Sequence, residues 1–361
     1  MREWGHFWLV WRKRLLALSF VFCFLYICGQ TTVVAAMSTE DEVQWGQKIS
    51  QEVEKQIPLV KDPLLQARVQ RIGASLAAVS DRPNLSYTFK VLDSKDVNAF
   101  AVPGGFIYVY KGLIDLMPSD DELAGVLGHE IGHIVKRHTI TEMEQGTTMT
   151  ILLAILTQGR GAMAQAAFME AVMAGHSRGD EREADYLGFI HSTKAGYSPY
   201  SMLMGLEKLA VLEPKDSQDL FSDHPESKER IRLAKKYLVD AKVHPYAKAV
   251  GLTGVVYEGD WSLPPFTNGL NGSDPLYRAY SAAGQLYQLT LRSQLTTDRL
   301  FASNEDTGIG IYYDDRLLFM ITNSDALARG VSLDDFAATM IQSVAAWIRL
   351  QPNWDGHQTT T

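Results

Sequence analysis

Apolar residues recur at helical spacing between Ser119 and His138. The apolar stripe consists of Leu123, Val126, Leu127, Ile131 and Ile134. These positions fall on one side of an α-helix because the helix turns once in 3.6 residues. Ser119 and Glu122 have the spacing of a capping box, in which each side chain accepts a hydrogen bond from the other residue's backbone N–H. The pattern predicts a helix that begins at Ser119.

The pattern upstream of this central helix changes from helical to alternating. Two packing helices are predicted between residues 39 and 80, with a break at Pro58 and Pro63. Residues 87–92 alternate like a strand, and residues 98–110 have the pattern of two more strands joined by a turn at Pro103-Gly104-Gly105. We therefore expect a small sheet. Its last strand is either an exposed edge or an ordinary core strand.

The pattern downstream predicts a second, smaller domain. Strand-like runs occur at residues 285–291, 309–313 and 317–322, and a turn at Asp314-Asp315 is expected to join the last two as a hairpin. Ser332 opens a final helix that ends near Leu350. The Gly-, Pro- and Asn-rich stretch from Asp260 to Pro275 is interpreted as a loop or linker of this domain.

The expected fold class is α+β, in two domains. Residues 37–243 form a mostly helical domain with a small sheet, and residues 244–361 form a small α+β domain. No catalytic constellation is visible in the second domain. Recruitment of substrate or of a partner and gating of a cleft in the first domain are the open alternatives for its role.

The first 36 residues have the pattern of a targeting segment. Basic residues at 12–14 precede an apolar run over residues 15–28, and Val34-Ala35-Ala36 supplies small residues for cleavage. We interpret the segment as an export signal. An uncleaved membrane anchor is the alternative, because the run extended to Val34 is almost long enough to span a bilayer.

Composition excludes two classes of function. The 361 residues carry a formal net charge of −8, and residues 1–36 contribute +3, which leaves −11 on the remainder. Such an acidic body argues against a nucleic-acid partner. Both cysteines, Cys23 and Cys28, lie in the leading segment, so the body has neither disulfides nor thiol chemistry.

The central helix carries an HExxH motif at His129, Glu130 and His133. Residues four apart share a helical face, so both imidazoles can bind one metal ion while Glu130 is offset towards a bound water. The alternative is a surface helix with two solvated histidines. A zinc site of this type also needs a third ligand and an open fourth position.

A second charged helix is predicted over residues 177–188. Glu181 and Asp185 lie four apart on one face, and Ala184 is small enough for close approach to a neighbouring helix. Glu181 would complete a His-His-Glu zinc site, and Asp185 would orient a ligand histidine. A solvated charged face is the alternative.

These motifs resemble the zinc metallopeptidases related to the CAAX prenyl protease and HtpX, including their soluble periplasmic members. The resemblance extends from about residue 42 to about residue 238. It covers Asn98-Ala-Phe-Ala-Val-Pro-Gly-Gly, His129-Glu-Ile-Gly-His133 with Arg137-His138, Ser177-Arg178 with Glu181-x-x-Ala-Asp185, and His224-Pro225 with Arg230-Ile231. No transmembrane helices surround this core in the sequence, so the chain does not look like a membrane-embedded prenyl-protein protease.

The resemblance implies a gluzincin with one Zn²⁺ per chain, bound by His129, His133 and Glu181. It also implies a proton-donor role for Asp185. His224, before Pro225 at a predicted helix start, either polarises the scissile carbonyl, occupies the fourth zinc position in a resting state, or caps a helix.

Other polar residues receive weaker interpretations. Arg178 is a candidate for oxyanion stabilisation, and His138 is expected to interact with the negative end of the central helix. The Ala-, Met- and Gly-rich stretch from residue 143 to 175 is either a buried helical hairpin with a mobile tip or a lid that binds unfolded chains. No role is predicted for His6, His176, His191, His244 and His357.

The sequence therefore predicts an exported zinc endopeptidase with Glu130 as general base. The resemblance implies misfolded or unassembled envelope proteins as substrates, with membrane attachment only if the leading segment is retained. Two alternatives stay open. One is a zinc-bound chaperone or assembly factor with latent peptidase activity, and the other is a protein in which zinc is structural.

Overall fold

The computed structural model describes residues 37–145, 162–173, 175–212, 227–267 and 274–355. The predicted targeting segment, His224 and the tip of the predicted hairpin lie outside the described residues. No helix of the described ranges is long and apolar enough to cross a membrane.

Two helices and a three-stranded sheet precede the central helix, as the sequence pattern predicts. They are α1 (Thr39–Gln56), α2 (Pro63–Ala78), β1 (Thr88–Leu92), β2 (Ala99–Val102) and β3 (Phe106–Tyr110). Asp62 caps α2 by accepting hydrogen bonds from the backbone N–H groups of Leu64 and Leu65. The turn between β2 and β3 uses Gly104 and Gly105 at positive φ, a backbone conformation that glycine adopts without steric cost.

The strand order in this sheet is β1-β3-β2. The suggestion that Phe106–Tyr110 could be an edge strand is therefore wrong. The turn folds β2 antiparallel onto one side of β3, and the earlier strand β1 pairs in parallel with the other side. Within the described sheet, β2 is the edge strand on the side of the hairpin.

The central helix α4 (Asp120–Lys136) follows the short helix α3 (Lys111–Leu116). The predicted capping box is confirmed: Ser119 accepts from the backbone N–H of Glu122, and Glu122 accepts from that of Ser119. Every residue from Asp121 to Ile134 is buried, because α2, β2 and the helices that follow pack around α4.

The helices that follow are α5 (His138–Gln145), α6 (Ala162–Val172), α7 (Arg178–Lys194), α8 (Ser201–Leu212) and α9 (Ser227–Asp240). Helix α7 packs against α4 at close range. A Cβ on Gly132 would lie 3.0 Å from the Ala184 Cα, and one on Gly128 would lie 3.1 Å from the Gly188 Cα. This approach of the two backbones brings the acidic residues of α7 to the histidines of α4.

In its described residues, the C-terminal region contains two three-stranded antiparallel sheets and three helices. They are β4 (Tyr246–Val250), β5 (Thr253–Glu258), β6 (Trp261–Ser262), α10 (Pro275–Thr290), β7 (Leu300–Glu305), β8 (Gly308–Tyr313), β9 (Arg316–Ile321), α11 (Asn323–Leu327) and α12 (Leu333–Leu350). The predicted hairpin at Asp314-Asp315 and the final helix capped by Ser332 are confirmed.

The strand predicted at residues 285–291 is wrong, because most of this run is the second half of α10. The run alternates only over a few residues, and a window that short does not separate a strand from a helix. Its apolar residues continue a helical stripe from Ala279 through Ala283 to Leu286 and Leu289, all buried. Asp274 caps this helix, and Pro275 occupies its first turn.

Two apolar cores organise the described chain, and together they give the α+β fold that the sequence predicts. One core lies between α2, the first sheet and α4. The other combines α7, α8 and α9 with the C-terminal elements and contains Phe189, Met202 and Leu238 beside Leu286 and Trp347. The C-terminal region therefore shares a core with the helices that flank α4.

Candidate metal centre

Three buried donor groups converge between α4 and α7. They belong to His129, His133 and Glu181. The two Nε2 atoms lie 3.0 Å apart, and the Glu181 oxygens lie 3.6 Å from the His129 Nε2 and 3.3 Å from the His133 Nε2. Ligands at zinc-bond lengths on a tetrahedral ion are separated by about 3.3 Å. The donor triangle therefore fits one zinc ion.

A carboxylate behind His129 fixes the orientation of that ring. The His129 Nδ1 lies 3.0 Å from an oxygen of Asp185. An imidazole that donates through Nδ1 keeps its Nε2 lone pair for a metal. The pair therefore turns the His129 Nε2 towards the donor triangle.

Asp185 is held as an anion by Arg230. The guanidinium donates to both carboxylate oxygens, at 2.7 Å and 2.6 Å. Burial alone would raise the pKa of Asp185, but the charge and hydrogen bonds of Arg230 outweigh burial and lower that pKa. The contact with His129 supports the orienting role, and the proton-donor role that the resemblance implies stays a prediction.

Arg230 also belongs to the site, although no role was predicted for it from the sequence. It lies on α9, is buried, and places a guanidinium nitrogen 2.8 Å from a Glu181 oxygen as well as against Asp185. One cation thus compensates two buried carboxylates. The motif contained Arg230, but a separation of 45 residues from Asp185 left no local signal of the contact.

His138 supports the second histidine. Its Nδ1 lies 3.0 Å from the His133 Nδ1, and its Nε2 lies 3.2 Å from a Glu183 oxygen. His138 was expected to interact with the negative end of α4, and its contact with that end is to the ring of His133 in the last turn. Arg137 ends that helix in the left-handed conformation at φ 60°, so the next ring turns back towards His133.

His176 is a second residue without a predicted role that contacts the site. Its ring stacks on the His133 ring with centroids 3.9 Å apart, and its Nδ1 lies 3.0 Å from a Glu142 oxygen. His176 precedes the helix cap Ser177.

Burial lowers the pKa of His133 well below its ordinary value, so that imidazole is neutral, as metal binding requires.

Glu130 is buried on the face of α4 next to the two histidines. One residue advances a helix by about 100°, so its carboxylate is displaced from the donor triangle. In the described part of the chain this carboxylate makes no hydrogen bond, which leaves it available to a water. Arg178, the oxyanion candidate, is exposed at the first residue of α7.

Two regions of this chain match the models of known protein families. Residues 63–238 match the model of peptidase family M48, and residues 254–350 match that of a domain of unknown function, DUF8459. The chain is 28% identical over 234 residues to a beta-barrel assembly-enhancing protease of Yersinia pestis, covering 61% of this chain and 48% of that protein.

Two Escherichia coli metalloproteases are also similar. The identity to metalloprotease YcaL is 33% over 161 residues, which is 43% of this chain and 63% of the relative. The identity to metalloprotease LoiP is 36% over 149 residues, which is 39% of this chain and 59% of the relative. The chain thus spans less than two thirds of each of these relatives. The resemblance to zinc metallopeptidases is confirmed by the match of residues 63–238 to peptidase family M48.

Proposed function

We propose that this protein is a zinc-dependent metalloendopeptidase that hydrolyses peptide bonds in envelope proteins. The observation that carries the proposal is the triangle of His129, His133 and Glu181, with its zinc-like spacing and with Glu130 on the adjacent face. A structural zinc site has no use for a general base beside it. The match of residues 63–238 to the model of family M48 supports the same chemistry.

The residues have distinct roles in this proposal. Bound zinc supplies a Lewis acid that polarises the substrate carbonyl and acidifies water. Glu130 accepts the proton of the attacking water and passes it to the leaving amine nitrogen. Asp185 and His138 hold the two imidazoles in orientation from behind. His224 enters the proposal as a candidate either for polarising the scissile carbonyl or for occupying the fourth zinc position in a resting state.

The edge strand β2 is the proposed support for the substrate backbone. It packs on α4, and within the described sheet it pairs with β3 alone. An extended peptide can pair with such an edge through main-chain hydrogen bonds, which position the peptide without specifying its side chains. This mode of binding suits unfolded substrates.

Envelope proteins are the proposed substrate class. The first 36 residues have the pattern of an export signal, and a similar protease is named for β-barrel assembly. Misfolded or unassembled envelope proteins offer the extended backbone that an edge strand binds.

The decisive test is digestion of casein by the full chain beside two matched variants. Glu130→Gln removes the base without touching a donor of the triangle, so it is expected to keep one zinc per chain and to lose at least about a hundredfold in turnover. Glu40→Gln, the same change at an exposed position in α1, should leave turnover unchanged. Zinc content and casein fragments are measured for all three proteins.

Two other outcomes would contradict parts of the proposal. Cleavage that survives in Glu130→Gln would contradict the proposed base. A wild-type protein with one zinc and no cleavage would contradict the peptidase proposal and favour the zinc-bound chaperone.

A further inference from the structure

A cavity lies where the C-terminal region meets the start of α4. Its volume of about 700 Å³ is within the range of pockets that enclose ligands. One wall is the α10 face that carries Tyr277, Ser281 and Gln285, a second is β9, and a third is the first turn of α4. None of the three metal-binding candidates borders it.

The wall formed by β9 is a main-chain edge. All five residues from Arg316 to Met320 border the cavity. Successive side chains of a strand point to opposite faces, so consecutive residues meet one cavity only where the strand is approached from its edge. In the described sheet β9 pairs with β8 alone. Arg278, which also borders the cavity, donates to the Met320 carbonyl at 2.8 Å, so this main-chain acceptor already has one partner.

A cation lies at the beginning of this edge. The half-buried Arg316 donates to the Gly196 carbonyl and to the Gln285 side chain. Within the described ranges no carboxylate lies at ion-pair distance from Arg316. The other two arginines of the cavity differ, because Arg278 pairs with Asp325 and Arg292 pairs with Asp314.

Asp121 and Asp315, which border the same cavity, attract the charge of Arg316 without forming an ion pair with it. Burial and the neighbouring charge of Arg292 lower the pKa of Arg316, against the opposing effect of nearby carboxylates. A guanidinium with unused N–H groups at the end of a cavity is a site for a carboxylate, which it can bind through paired, charge-assisted hydrogen bonds.

We propose that this cavity binds an extended peptide, which adds to β9 as an antiparallel fourth strand and places its free C-terminal carboxylate against Arg316. The direction of the peptide follows from the position of Arg316 in β9. Arg316 is the first residue of β9, so an antiparallel neighbour ends there, and the β7-β8-β9 sheet is antiparallel throughout. The five bordering residues span about 13 Å, which matches four to five residues of peptide.

The apolar side chains of the cavity are suited to such an occupant. The exposed Leu317 borders it beside the strand edge and can contact a side chain of the peptide, while Phe266 and Phe319 border it as buried rings packed against each other. The C-terminal region then serves as a docking module for chain ends, whether or not the metal centre hydrolyses peptides.

The test is fluorescence anisotropy with a labelled hexapeptide of alternating Thr and Val that ends in a free carboxylate. The full chain carries Glu130→Gln, so that the probe is not consumed. The peptide is expected to lose at least about tenfold in affinity when its C-terminus is amidated, or when the protein also carries Arg316→Gln, because a charge-assisted pair is lost. Arg299→Gln is the control, since Arg299 is an exposed arginine of the same region.

A second set of probes keeps the test independent of the folding of Arg316→Gln. N-methylation of the peptide at alternate residues should abolish binding for the set whose N–H groups face β9 and spare the other set. Equal affinity of the free and amidated peptides would overturn the proposal, as would equal tolerance of both methylation sets. Binding that depends on zinc and is unchanged by Arg316→Gln would locate the peptide at the metal centre and also overturn it.

Discussion

Behind the candidate metal ligands, the guanidinium of Arg230 lies between two buried carboxylates. Arg230→Met would leave Glu181 and Asp185 as buried anions without their cation. We expect the metal-free protein to lose about 3–5 kcal/mol of unfolding free energy. The loss should be smaller with zinc, which supplies positive charge to Glu181. Urea unfolding with chelator and with zinc measures both values.

The control for this change is two residues away on the same helix. Arg232 has an exposed side chain and pairs with Glu229 at the surface. Arg232→Met is expected to cost much less stability than Arg230→Met, because solvent screens an exposed ion pair. Equal losses for the two variants would contradict the buried charge balance proposed for the site.

Two adjacent aspartates at the start of α4 should respond to pH in opposite directions. Burial raises the pKa of Asp121 above its ordinary 3.8, in spite of hydrogen bonds from Ser198 and Gln285. For Asp120, burial acts in the same sense, but the hydrogen bonds and charges of Arg71 and Arg68 outweigh it and lower the pKa.

The signs follow from linkage between protonation and folding. The contribution of Asp121 is complete below pH 3.8 and is lost as the pH rises through its folded-state pKa, so Asp121→Asn should gain in Tm relative to the wild type from pH 4 towards neutrality. The contribution of Asp120 is present above pH 3.8 and is lost as the pH falls through its folded-state pKa. Asp120→Asn should therefore lose Tm at neutral pH and approach the wild type in acid.

Calorimetry with chelator at several pH values tests the pair, because groups common to all three proteins cancel in the differences. Parallel curves for the two variants would contradict the opposite shifts.

The sequence predicted the residues of the site that helical spacing relates, and it did not predict those that the tertiary fold brings in. His129 and His133 share a turn of one helix, so their proximity follows from local geometry. Arg230 and His176 reach the site only through the packing of α9 and the return of the chain before α7. No local sequence pattern predicts such tertiary contacts.

At the scale of elements, the approach of α7 to α4 sets the position of Glu181. Gly132→Ala would place a methyl group 3.0 Å from the Ala184 backbone, and the two helices would have to separate. We expect a loss of about 1–3 kcal/mol in unfolding free energy and weaker zinc binding, since Glu181 moves with α7. Denaturant unfolding and competition with a chromophoric chelator measure the two effects.

Gly205 on α8 provides the matched change. A Cβ there meets only the Val126 side chain, at an ordinary 3.5 Å. Gly205→Ala should be neutral or stabilising by up to about 1 kcal/mol, because alanine favours the helix. Zinc affinity that is equal in both glycine variants would argue against control of the site by helix spacing.

Elements were predictable where local chemistry decides them. The capping box of α4 and the glycine turn before β3 are local features, and both are confirmed. The central position of β3 in the sheet was not predicted. Strand order depends on which strand β1 pairs with, and the sequence pattern of a strand does not identify its partner. The helix α10 was not predicted, because the strand-like run at residues 285–291 covers only its second half.

At the scale of the whole molecule, the metal domain and the C-terminal region should unfold together. Trp347 on α12 is fully buried in the core that also contains Phe189 of α7. Trp347→Ala is expected to cost about 3–5 kcal/mol and to lower the midpoint of zinc release by the same denaturant increment as the midpoint of tryptophan fluorescence.

The control is Trp354→Ala, at a side chain that is 37% exposed, which should shift neither midpoint by much. Zinc release that is unaffected by Trp347→Ala would show that the two regions unfold independently. It would then favour the domain boundary predicted between residues 243 and 244.

The separation of the site residues along the chain has a consequence for biosynthesis. Arg230 contacts the ring of His129 across 101 residues, and Asp185 contacts it across 56. A nascent chain therefore exposes the two histidines long before the ribosome has made the groups that complete and neutralise the site. In the proposed function, hydrolytic activity therefore depends on residues that are translated well after both histidines.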